Sequence, residues 1–144
     1  MAFLAGERIT ATRLNRLQPV VYGAIGTSTV PASSTNTDVP SATVSITNET
    51  VNAVYKAWCV WDFNATGVPG ASSTGRLAID GTGQSPLATF RGDAANERGT
   101  VTQVYEGVLT TAATRTFKLI ATTASGVEVQ GVNSSITVEI TEVA

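Results

Sequence analysis

Histidine is absent from this 144-residue chain, and cysteine occurs once. The first absence removes the commonest general base and the commonest metal ligand together. It excludes serine–histidine and cysteine–histidine nucleophile pairs and any zinc site of ordinary composition, so no metal site is expected. A single cysteine excludes an internal disulfide, and the apolar run around Cys59 predicts a buried, inert thiol. Charge is scarce as well. Asp, Glu, Lys and Arg make up 14% of the residues and the net charge is −2, which argues against any general affinity for nucleic acid. No Gly-rich loop with a phosphate-binding lysine occurs. No apolar run reaches the roughly 18–20 residues that cross a bilayer, so membrane insertion is not expected. The start, Met1 to Glu7, has no basic stretch and too short an apolar one for a secretory leader. A chain made and assembled in the cytoplasm is therefore expected. Carboxylate-only hydrolysis stays formally open, since it needs just two acids. The 11 acidic residues are scattered through Thr- and Gly-rich segments and no pair stands out. The expectation is a protein with no catalytic residues and no cofactor, not an enzyme.

What is abundant is Thr, Ser, Asn, Gln and Gly, set among 42% hydrophobic residues. That composition suits one β-rich domain with many turns. Residues 1–19 differ from the rest. Between Gly6 and Pro19 stand Arg8, Arg13 and Arg16 against Glu7 alone, so this segment is locally basic. Thr10 is a fitting N-cap, and Ile9 and Leu14 occupy the two positions of a hydrophobic staple. Pro19 stops the run, which predicts a helix of about two turns over Ala11–Leu17. So short a helix is marginal alone and must dock through Ile9, Arg13, Leu14 and Leu17, on a neighbouring subunit, on a carrier particle or on its own domain.

Residues 20–144 read as successive strands. Val20–Ile25 is the first, and Pro31–Pro40 reads as a polar connection. Ala42, Val44 and Ile46 alternate with polar residues. In Val54–Phe63 one face carries Tyr55, Ala57, Cys59, Trp61 and Phe63, and the other carries Val54, Lys56, Trp58, Val60 and Asp62. Both faces hold large apolar groups, so both should be covered. Thr100–Leu109 is similar, with Val104 and Val108 on its second face. A neighbouring subunit is the simplest cover, which makes Val54, Trp58, Val60 and Val104 candidate interface residues; the segment 26–41 folding over that face is the alternative. Burying Trp58 in this way would stabilise by about 2–3 kcal/mol per subunit. Further strands follow at Gly75–Asp80, Leu87–Arg91, Thr116–Thr122, Val127–Gln130 and Ser135–Val143. An all-β, jelly-roll-type sandwich of eight or nine strands is expected behind the short N-terminal helix.

Short motifs that suggest chemistry are discounted. Arg91-Gly92-Asp93 and the Asn-X-Ser/Thr sequons read as loop and turn chemistry. Asp62, Asp80 and Asp93 have no calcium-loop spacing.

The stretch Ala5-Gly6-Glu7-Arg8-Ile9-Thr10-Ala11-Thr12-Arg13-Leu14-Asn15 resembles the N-terminal signature of bacteriophage tail-fibre, minor tail and related virion proteins, especially from phages of actinobacteria. Gly75–Gly81, Arg98–Gly107 and Phe117-Lys118-Leu119 are similar to the trimeric jelly-roll heads of such proteins, related in outline to tumour-necrosis-factor-like domains. The resemblance implies a virion structural protein, a homotrimeric knob anchored to phage tail or capsid proteins through residues 1–19. It carries no collagen-like or coiled-coil shaft, which favours a compact knob on the tail or capsid over a long fibre. Two other functions are set beside it: a host-glycan-binding adhesin module and, last, a carboxylate-only glycan hydrolase. The loops Ala65–Thr74, Gly81–Pro86 and Gly92–Gly99 contain no aromatic residue on which a sugar could stack.

Overall fold

The alternation of apolar and polar residues sets the architecture in a computed structural model that describes Asn15 and residues 17–143. The helix expected over Ala11–Leu17, with Ile9, Arg13 and Leu14, lies almost wholly outside these residues. Leu17 is described, in a turn and half-buried. Ten strands follow: β1 (Val20–Ile25), β2 (Thr37–Asn48), β3 (Ala53–Ala65), β4 (Ser73–Ile79), β5 (Thr82–Gly83), β6 (Ala88–Phe90), β7 (Arg98–Leu109), β8 (Ala113–Thr122), β9 (Val127–Val129) and β10 (Ser135–Thr141). They form two sheets. The first has the order β1-β10-β3-β7, with β9 on β3; the second has the order β2-β8-β4-β5, with β6 on β4. All pairings are antiparallel. Early strands cross from sheet to sheet in turn, β1 and β3 in the first and β2 and β4 in the second, as in a jelly-roll-type sandwich.

The period of two decides which face each strand buries. On β3 the set Tyr55, Ala57, Cys59, Trp61 and Phe63 faces the second sheet and is buried. Ile136, Val138 and Ile140 of β10 and Phe117, Leu119 and Ala121 of β8 complete the core, as does the expected set Ala42, Val44 and Ile46 of β2. Tyr55 meets Phe117 edge-on, with ring centroids 5.4 Å apart, and Phe63 stacks on Phe90 at the same separation.

The segment Pro31–Pro40 departs from its reading as a solvated connection. Its end, from Thr37, already belongs to β2, and Val39 is fully buried. Nor does the segment 26–41 cover the outer side of the first sheet. Val30 pairs with Val129 and sinks into the core, Thr27 N–H donates to the Pro40 carbonyl, and Ser33 N–H donates to that of Ala124. The tight passage depends on a glycine: a Cβ on Gly131 would stand 2.0 Å from the Ser28 carbonyl oxygen.

Strand directions give the molecule two ends. Val20 pairs with Ile140, Ile140 with Tyr55 and Tyr55 with Gly107, so the start of β1, the end of β10 and the β7–β8 turn lie together. The β3–β4, β6–β7 and β8–β9 connections lie at the other end, where Ala65 N–H donates to the Glu97 carbonyl and Thr66 N–H to that of Gly126.

Candidate functional site: an uncovered sheet face and an edge pocket

Residues directly opposite in antiparallel pairs share a face. The ladders therefore place Val54 beside Val108, Trp58 beside Val104 and Val60 beside Thr102 on the outer side of the first sheet. Thr137 flanks Trp58 from β10, and Gly23 of β1 follows Thr137 in the same row. Val54, Trp58, Val60 and Val104, which the sequence pattern groups, thus come together on one surface. Val54 is 44% and Val104 38% exposed, and Trp58 and Val60 are half-buried by their neighbours. Val21 and Ile25, at 59% and 64% exposure, stand on the same side of β1, beyond the polar outer row Ser135, Thr137, Glu139 and Thr141 of β10. Lys56 Nζ lies 5.4 Å from the centre of the Trp58 ring, a cation–π contact, and stands in register between Glu139 and Glu106. The result is an apolar patch on β3 and β7, crossed by one row of charge and parted from β1 by the polar outer side of β10.

At one end the face is closed by Asp62. This carboxylate is buried, receives the guanidinium of Arg98, and its backbone N–H donates to Ser134 Oγ at 3.1 Å. The Arg98 hydrogen bond holds its carboxyl below the ordinary aspartate range, against the opposing effect of burial.

A second concavity lies at the sandwich edge where β5 and β7 diverge. It has a volume of about 410 Å³, and its lining includes Tyr55, Ile79, Asp80, Gln84, Leu109, Thr110 and Arg115. Asp80 follows β4 with φ +50°, the left-handed conformation of the Asp80-Gly81 turn. Its carboxylate accepts from Thr116 N–H at 2.9 Å and Arg115 at 2.8 Å. These bonds, the backbone one foremost, hold Asp80 below the ordinary aspartate range. Arg115 also reaches Thr111. No sequence signal pointed to this pocket, because its residues come from five strands and the connections beside them and each is ordinary alone.

Asp62 and Asp80 are thus each engaged by an arginine, and among the described residues no three Cys, Asp or Glu side chains gather as a metal site. Cys59 is buried in the core and its thiol is pushed up to about 12 by desolvation. No described helix is long and apolar enough to cross a membrane.

No protein-family model matches the chain, and no curated protein matches it. Solved structures with a similar course include the C-terminal domain of EclA, described as a sugar-binding protein, at 14% identity and TM-score 0.39, covering 98% of this chain and 80% of that one. A Paenibacillus cycloisomaltooligosaccharide glucanotransferase complexed with cycloisomaltoheptaose is similar at 19% identity and TM-score 0.32, covering 69% of this chain and 12% of that one. At these values the likenesses carry no argument about function.

Proposed function

We propose that this chain is a non-enzymatic structural protein of a bacteriophage particle, a β-sandwich knob that assembles as a homotrimer and is held to the virion by residues 1–19. The observation that carries the assembly is the outer face of the first sheet, which no other described element covers, with Val54, Trp58, Val60 and Val104 in one field. An apolar field of this kind marks a contact surface. Its two borders differ: Val21 and Ile25 stand on β1 at one side, Val104 and Val108 on β7 at the other. A closed ring needs such unlike halves, because each copy presents one border to the next. The phage assignment and the docking role of Ile9, Arg13, Leu14 and Leu17 rest on the N-terminal sequence pattern, with tail or capsid proteins as the partners.

Light scattering on the purified full-length chain tests the assembly. A mass near three times 14.9 kDa is expected, and Val104→Glu should reduce it to that of one chain while the fold persists. A wild-type monomer would overturn the trimer.

One observation favours a second reading, a host-glycan-binding module. Trp58 is half-buried on the outer face between Thr137 and Val104, with Lys56 and two carboxylates in the adjacent row. An indole so placed can stack on a sugar ring while the charged row binds hydroxyls. The two readings use the same ring, so a trimer that buries Trp58 excludes sugar there, and a monomer that binds glycan through Trp58 excludes the first.

A further inference from the structure

We propose that the edge pocket between β5 and β7 is a binding site for a single neutral sugar residue, distinct from the outer sheet face. Its size suits a small molecule: about 410 Å³ falls at the low end of the range of about 300–1,000 Å³ for such sites. Its lining includes apolar groups from Leu109, Ile79 and Val108 and the ring of Tyr55. Its rim is polar and its charge is balanced internally, since Arg115 is paired with Asp80 at 2.8 Å. An anion entering the pocket would have to compete with Asp80 for the guanidinium, so the electrostatics favour an uncharged ligand.

Free hydrogen-bonding capacity remains around the rim. The Tyr55 and Thr110 hydroxyls bond to no described residue, and Gln84 uses only its amide N–H, which donates to the Thr82 carbonyl at 2.8 Å, leaving its side-chain oxygen open. Donors and acceptors of both kinds beside a few apolar side chains match a pyranose, which carries hydroxyls at its edge and C–H groups on its face. The rim groups are also fixed before any ligand arrives. Thr116 N–H and Arg115 hold Asp80, Arg115 is held again by Thr111, and Gln84 N–H donates to the Leu77 carbonyl at 2.7 Å. Such preorganisation lowers the ordering cost of binding.

The test is an amide chemical-shift titration of the full-length chain with D-glucose, D-galactose, D-mannose, N-acetyl-D-glucosamine and L-rhamnose in turn, with acetate and phosphate as anionic controls. At least one sugar should give saturable shifts at Thr82, Gln84 and Thr110, with a Kd on the order of 1 mM. Tyr55→Phe combined with Gln84→Ala should weaken it at least tenfold with an unchanged thermal midpoint. Absence of saturable shifts with every sugar, shifts caused by the anions instead, or full affinity in the double variant would overturn the proposal. If the double variant loses stability, Thr110→Val alone must weaken the sugar at least threefold for the site to stand. The mass of each sample, recorded alongside, reports separately on the trimer.

Discussion

Trp61 of the first sheet lies against the backbone of Gly75 in the second: a Cβ built on Gly75 would stand 2.5 Å from the indole Cδ2 and Cε2 atoms. Both residues are buried, so neither can yield toward solvent. The glycine is where one sheet makes room for the largest side chain of the other. Gly75→Ala should therefore destabilise by about 1–3 kcal/mol through overpacking. Urea unfolding would measure it, with Gly70→Ala as control, since nothing stands within 4 Å of a Cβ there. Equal midpoints for the two variants would refute the close sheet approach.

Acid should weaken the fold through Asp62 and Asp80. Both carboxyls titrate below their ordinary value of 3.8, Asp62 chiefly through Arg98 and Asp80 chiefly through the Thr116 N–H. A folded-state pKa below the unfolded one contributes stability that is present above the unfolded value and lost as pH falls through the folded one. Stability from these groups should thus hold between pH 7 and 5 and decline below about pH 4. Denaturant melts at pH 7, 5, 3 and 2 would trace the loss. In Asp62→Asn the decline below pH 4 should be shallower, and an identical slope would assign the acid sensitivity elsewhere.

Cys59 should be silent in the native protein. Its thiol is buried and pushed up to about 12, so thiolate is scarce at pH 8 and the sulfur is out of reach. Ellman's reagent should label no thiol in buffer at pH 8 and one per chain in 6 M guanidinium. Rapid native labelling would mean that the β3 core opens readily.

Tyr105 ties the irregular β5–β6 connection to β7, its hydroxyl donating to the Pro86 carbonyl at 2.8 Å. Burial raises its phenol to about 12. Tyr105→Phe should cost about 0.5–1.5 kcal/mol, the net worth of one hydrogen bond. A neutral change in urea unfolding would mean that the connection is held by its other contacts.

Alternation made much of this fold legible. The inward sets on β3, β8 and β10 follow from their period of two, because one missed step would turn Trp61 or Phe117 to water. The same rule grouped Val54, Trp58 and Val60 on the opposite face. Strand β5 spans only two residues, too short for any period to show. Val39 escaped notice for another reason: it sits among Thr, Asp and Pro, and only the pairing of β2 with β8 brings it into the core. The edge pocket was illegible because Tyr55, Gln84, Thr110 and Arg115 are brought together by long-range strand pairing, which leaves no local pattern.

The two ends of the sandwich make the molecule addressable for engineering. Residue 20 and the close of β10 share one pole, while Val68, 72% exposed between Gly67 and Gly70, marks the other. A peptide epitope spliced at Val68 would extend away from whatever the terminal pole carries, and a fluorescent tag joined there would leave it unhindered. Cargo and attachment can thus be varied independently on the same scaffold.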